Sequence, residues 1–68
     1  LKGISGKQLC RILEAKDWEL KRIHGSHHIF MRSGSNVRIS IPVHGSKTLK
    51  LGLQKHIMKI AEIDESEL

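Results

Sequence analysis

The stretch LKRIHGSHHIFM, residues 20–31, restricts the fold more than any other part of this chain. Two strand-like runs meet at Gly25-Ser26, and a two-residue link with Gly first is the signature of a type II′ β-hairpin. The spacing predicts strands over Trp18–His24 and His27–Arg32. His24 and His27 then face each other across the turn, and His28 points to the opposite sheet face. Alternation groups Trp18, Leu20, Ile29 and Met31 with His24 and His27, and Ile23 and Phe30 with His28. Both faces carry apolar residues, so alternation leaves open which one is covered, and a β-bulge would swap the parity.

The flanks supply the remaining elements. Ser5-Gly6-Lys7-Gln8 reads as a capping box, and Leu9, Ile12 and Leu13 recur at helical spacing, with Cys10 beside the stripe. A helix is expected from about Gly6 to Lys16. Ser33-Gly34-Ser35-Asn36 is a polar turn. VRISI, residues 37–41, alternates cleanly as a strand, Pro42 ends it, and VHGSKT is loop. Leu53, Ile57 and Ile60, with Met58 and Ala61 alongside, mark a second amphipathic helix. The acidic end is expected to fray from Ile63. The fold class is α+β in the order α-β-β-β-α, a three-stranded antiparallel sheet with two helices on one face. That is the layout of double-stranded-RNA-binding domains, although layout alone does not assign function.

At 68 residues the chain is expected to form a single domain, residues 1–68, and a domain of this size buries little. Cys10 is the only cysteine, so there is no disulfide framework, and a lone thiol suits a reducing, cytoplasmic setting. No stretch reads as a signal peptide or approaches a membrane span. Opening at Leu1 reads as a chain that was trimmed or has lost its first residues. Charge narrows the partners. Twelve Lys and Arg face seven Asp and Glu. Residues 20–61 hold no carboxylate, yet carry eight Lys and Arg and all five His. A field of one sign attracts polyanions, so the expected partner is nucleic acid or an acidic protein that mimics it.

Three chemistries can be weighed for the histidine pair. A metal site would draw on His24, His27 and His28, but zinc needs further ligands. No Asp, Glu or Cys lies near to complete the set, and His44 is the only plausible addition. A nucleophile is poorly served: Ser26 is the chain neighbour of His27, which strand geometry points away, Cys10 reads as core, and no local carboxylate can orient a base. Acid–base chemistry on RNA asks for less. RNA carries its own nucleophile, the 2′-hydroxyl, so a base, cations for the developing charge and a way to hold the strand in line suffice without metal or other cofactor. Surrounding cations favour neutral imidazole, the form that accepts a proton. The plain alternative is that His27 and His28 are ordinary strand-surface residues.

SGKQLCRILEAKDWELKR, GSHHIF, VRISIPVHG and LKLGLQKHIMKIAEI follow one another with a characteristic spacing. In this order they resemble the HicA toxins of bacterial HicA–HicB toxin–antitoxin pairs, from about Ile4 to Ile63. The resemblance implies a double-stranded-RNA-binding-like fold, a cytoplasmic endoribonuclease that cuts mRNA, and a HicB-like antitoxin that covers the active site. It also implies that the histidine directly after Gly-Ser, His27, is catalytic, with Gly25 as its companion. Gly25 and Ser26 are then candidate contacts to the RNA backbone. Lys21, Arg22, Arg32 and Arg38 are candidate phosphate contacts. His44 and Lys47 could join the site from the loop, and His24 from across the strand. His56 reads as an exposed helix residue, and Trp18 as core unless it stacks a base. The chain departs from many relatives at Leu53-Gln54, where Thr-Leu is common and a helix cap is weakened. It departs again at Glu62, where Gly is common, which leaves the end of the second helix open by a residue or two. Two readings without chemistry stand beside this one: an RNA-binding module, and a basic protein-interaction domain.

Overall fold

The computed structural model describes all 68 residues. Helix α1 (Gly6–Ala15) leads into strands β1 (Glu19–His24), β2 (His27–Met31) and β3 (Ile39–Pro42). Helix α2 (Leu51–Ala61) follows, and a 3-10 turn over Glu65–Glu67 completes the chain. The strands form one antiparallel sheet in the order β1-β2-β3, which is the expected α-β-β-β-α architecture.

Helix α1 starts where the capping box puts it. Ser5 Oγ accepts from the Gln8 N–H at 3.1 Å and Gln8 Oε1 accepts from the Ser5 N–H at 2.9 Å, a reciprocal closure of the first turn. The helix ends one residue earlier than its periodicity predicts, and β1 starts one residue later, for a single reason. Asp17 adopts φ +68°, and the N–H groups of Asp17 and Trp18 turn back to the Glu14 and Leu13 carbonyls at 3.2 and 3.0 Å. This is a Schellman closure, which brings the residue past the left-handed one onto the last helical turn. Trp18 is thus a capping residue buried in the core rather than the first residue of a strand.

Helix α2 ends in the same way. Glu62 takes φ +56°, and the Ile63 N–H donates to the Met58 carbonyl at 2.9 Å. The helix therefore stops at Ala61 although its left-handed residue is not glycine. Its start, at Lys50, has no side-chain cap, in keeping with the departure at Leu53-Gln54. The closure also overturns the expected fraying from Ile63. Ile63 is buried in the core, and the residues after it are tied down. Asp64 accepts from the Ser66 N–H at 3.1 Å, and Lys16 Nζ lies 3.0 Å from Glu67 Oε2. Hydrogen bonds from Ser66 hold the Asp64 carboxyl below its ordinary range, and the Asp64 N–H and then Lys16 do the same for Glu67.

The sheet has one covered face. Phe30, Ile39 and Ile41 join Leu9 and Leu13 from α1 and Ile57, Met58 and Ala61 from α2 in one cluster of 13 buried residues. Edge strand β1 is exposed along its whole length. A bulge at Lys21 shifts its pairing from Leu20↔Phe30 to Arg22↔Ile29. Leu20 therefore lies on the Phe30 side and not, as simple alternation would have it, with Ile29 and Met31. Strand β2 ends at Met31, one residue short of the expected Arg32. Strand β3 runs over 39–42 rather than 37–41. The ladder to β2 begins at Phe30↔Ile39, and Val37 gives its N–H to Ser35 Oγ at 3.1 Å, so the turn claims the first two residues of VRISI. Pro42 closes the strand opposite His27, at an edge where a missing N–H costs no ladder bond.

Two packing details hold this frame together. Gln54 is fully buried. Its Oε1 accepts from the Ile4 N–H at 3.1 Å and its Nε2 donates to the Lys2 carbonyl at 2.7 Å, so a side-chain amide serves the N-terminal segment as a neighbouring strand would. With Ile57, Met58 and Ala61 it forms the buried face of α2, leaving Leu53 and Ile60 half-buried at the flanks. Gly6 is the second detail. A Cβ at Gly6 would run into the Pro42 carbonyl oxygen and lie 3.3 Å from Ile41 Cγ2, so α1 rests on β3 backbone to backbone.

Gly6→Ala is expected to lower unfolding stability by about 1–3 kcal/mol through overpacking. That outweighs the roughly 1 kcal/mol by which Ala is the better helix former. Glu62→Gly is expected to raise stability by about 0.5–1 kcal/mol by relieving a left-handed non-glycine residue. Urea titration followed by the emission of Trp18, the only tryptophan in a chain without tyrosine, reads both.

Candidate active site

The hairpin presents the histidine. Gly25 adopts φ +61° while Ser26 keeps an ordinary negative φ, the sign pattern of a type II′ turn. Nothing lies within 4 Å of where a Gly25 Cβ would stand, so the backbone angle demands glycine there and the outer surface of the turn is bare. The Ser26 carbonyl accepts from the Val43 N–H at 2.8 Å, which ties the turn to the loop after β3. His24 and His27 pair directly across the strands, as the spacing predicts, and His27 pairs with Pro42 on its other side.

The His27 side chain is exposed on the open face of the sheet. Its Nδ1 lies 3.2 Å from Ser40 Oγ. Ser40 is the register partner of Ile29, hence the diagonal neighbour of His27 on the same face. Ser40 is missing from the sequence-derived set of site residues. Its signal is the polar position between Ile39 and Ile41, which acquires meaning only once the β2–β3 register is known. Arg22, opposite Ile29, extends the same face. His28 pairs with Ile41 and lies on the covered side, half-buried, so the adjacent histidines are separated by the sheet.

The other candidates distribute unevenly. Lys21 sits in the bulge with Nζ 2.8 Å from Glu19 Oε1, and its hydrogen bond and charge hold the Glu19 carboxyl below the ordinary range. The Arg32 guanidinium stacks over the Trp18 ring, 4.6 Å from its centroid. Arg38 is exposed just ahead of β3, and His56 is exposed on α2. His44 and Lys47 belong to one turn, with the Lys47 N–H donating to the His44 carbonyl at 3.0 Å. With Pro42 and Lys50 they line a hollow of about 300 Å³. On the other side of this loop, Lys7, Arg11 and Ser46 line a second hollow of about 510 Å³. Neither lining contains a carboxylate. Lys7 and Arg11 also stand outside the expected set, because on the sequence they read only as the polar side of an amphipathic helix.

No three His, Cys, Asp or Glu side chains converge into a group that could hold a metal ion. Cys10 is buried, and burial, then the nearby Glu14 charge, push its thiol up to about 11. It stays protonated and is no nucleophile near neutral pH.

The fold and this surface define a small basic α+β protein with a solvent-facing histidine at a hairpin mouth and cationic hollows around the adjoining loop. The chain belongs to the HicA toxin family. The family model described as "HicA toxin of bacterial toxin-antitoxin" matches residues 6–63, from the glycine seated against Pro42 to the isoleucine that closes α2. It is therefore the toxin of a toxin–antitoxin pair. No individual curated protein matches the chain. No helix is long and apolar enough to cross a membrane.

Arg32→Ala is expected to shift the Trp18 emission and to lower stability by about 0.5–1 kcal/mol, the scale of a cation–π contact of this kind. Fluorescence spectra and urea titration of the variant check both.

Proposed function

We propose that this toxin is an endoribonuclease that cleaves mRNA without a metal, with His27 as general base. His27 Nε2 takes the 2′-hydroxyl proton. The 2′-oxygen attacks the adjacent phosphorus, the bond to the 5′-oxygen breaks, the leaving oxygen takes a proton from water, and the imidazolium returns its proton to solvent. The products are a 2′,3′-cyclic phosphate and a 5′-hydroxyl end. The observation that carries this reading is an exposed imidazole directly after Gly25-Ser26, with His24, Pro42, Arg22 and Ser40 at the neighbouring register positions, Glu19 only at the far end of the face, and a bare glycine turn where an RNA backbone can approach. Family membership supports it, since the histidine at this position is the one the resemblance marks as catalytic.

The cations have graded roles in this proposal. Arg22, opposite Ile29 on the His27 face, is the candidate for meeting the charge that develops on the phosphorane. Ser26, Arg38, His44 and Lys47 would hold the flanking strand, and His24 would assist from across the turn. Lys21 would leave Glu19 to bind a phosphate, a small loss for an exposed pair. Arg32 would contribute least, because Trp18 already holds it. The partner is a HicB-like antitoxin that covers His27, and the setting is the bacterial cytoplasm.

Cleavage of an end-labelled RNA in EDTA tests the mechanism. The wild-type chain is expected to leave 2′,3′-cyclic phosphate ends. His27→Ala is expected to lose 10²-fold or more in rate, the scale of a general base, with RNA binding and the Trp18 spectrum intact. Ends bearing a 5′-phosphate, or a strict need for Mg²⁺, would overturn the route. Salt-sensitive binding with no cleavage by either protein would leave an RNA-binding module in its place.

A further inference from the structure

The geometry points to Ser40 as the positioning residue for His27: we infer that its hydroxyl accepts a hydrogen bond from the His27 Nδ1–H and so selects the tautomer whose Nε2 lone pair is free. This rests on the proposed role of His27 and adds what a lone imidazole lacks. In the triad arrangement a carboxylate holds the Nδ1 proton of the base. Residues 20–61 offer none, and the one polar side chain hydrogen-bonded to the His27 ring is Ser40, with Oγ 3.2 Å from Nδ1. A ring nitrogen already engaged with a neighbour leaves the other nitrogen for chemistry; a hydroxyl can give or take this bond, and only the accepting sense persists once Nε2 has taken a proton, which is the sense a base requires.

Two properties suit a hydroxyl to this place. First, it accepts from Nδ1–H both before and after Nε2 takes a proton, because the imidazolium is a donor at both nitrogens. The bond therefore holds through the proton transfer and gains from the charge. Secondly, it is neutral. A carboxylate here would hold the imidazolium by its charge and raise the pKa of the base, and it would face the incoming phosphates with a negative group. The strand geometry supports the arrangement. Ile39 and Ile41, on either side of Ser40, are buried in the core, which fixes the direction of the Ser40 side chain, and the β2–β3 ladder fixes its register to His27.

The test uses the full chain with Ser40→Ala, Ser40→Thr and Ser40→Asp. Long-range ¹H–¹⁵N spectra of the imidazoles near pH 8 are expected to show His27 as the Nδ1–H tautomer in the wild type and in Ser40→Thr, and as predominantly Nε2–H in Ser40→Ala. In the RNA assay, Ser40→Ala is expected to lower kcat about tenfold, the scale of one hydrogen bond, with KM unchanged, and Ser40→Thr to restore it. Ser40→Asp is expected to move the acidic limb of the pH–rate profile up by about one unit. An unchanged His27 tautomer in Ser40→Ala, or full activity of that variant where His27→Ala is inactive, would overturn the role of Ser40 alone. Full activity of His27→Ala would instead overturn the catalytic reading, and the tautomer spectra would still decide whether Ser40 sets the ring.

Discussion

The structure depends on one close approach, the backbone of Gly6 against the carbonyl of Pro42. A chain this small has no depth of core to absorb a poor fit, so its helices must sit where the sheet needs cover. The first residue of α1 does this without a side chain between helix and strand, and the capping box fixes the helix axis immediately before it. Leu9 and Leu13 are thereby delivered to Phe30, Ile39 and Ile41. The same contact has a bearing on the far side of the sheet. Pro42 is the register partner of His27, so the residue that seats the helix also flanks the residue that faces solvent. Core and candidate site are two faces of one short strand pair.

The division of polar labour follows from that thinness. Charges are excluded from the core, and the polar side chain that enters it most deeply, Gln54, has both ends of its amide satisfied by backbone groups. The carboxylates are confined to α1, the turn that closes it, the start of β1 and the C-terminal residues. Some of them are spent on structural partners: Glu19 on Lys21, and Glu67 on Lys16. The hairpin, β3 and the loop beyond it are left with a positive field unopposed from within. A field of one sign attracts opposite charge, which fits a protein whose family pairs it with an antitoxin.

Much of this was legible in the chain, and the gaps have physical causes. The capping box at Ser5–Gln8, the turn at Gly25-Ser26 and the pairing of His24 with His27 are local, with every participant within a few residues. What escaped is non-local or breaks a preference. The bulge at Lys21 inverts the parity of Leu20, and no residue type in ELKR announces it. Asp17 and Glu62 occupy left-handed positions where glycine is the usual sign, so the ends of both helices, and with them the place of Trp18 ahead of the strand and the burial of Ile63, were blurred. Ser40 looks like any polar residue of an alternating strand until the register sets it diagonal to His27. Gln54 reads as a solvated helix residue because its partners are 50 and 52 positions away.

That last separation also bears on the order in which the chain can assemble. The hairpin that carries His27 is closed by neighbours and needs little chain to form, whereas the Gln54 bonds to Lys2 and Ile4, and the Ser5–Thr48 bridge beside them, span most of the sequence. Joining distant residues carries a loop-closure cost that grows with the logarithm of the intervening length. Contacts of that reach are met late in folding. On the ribosome the Lys2 and Ile4 groups that Gln54 serves stay without it until α2 has emerged. The strands that carry His27 are therefore joined through local contacts, and the layer that completes their backing, α2, arrives only with the last quarter of the chain.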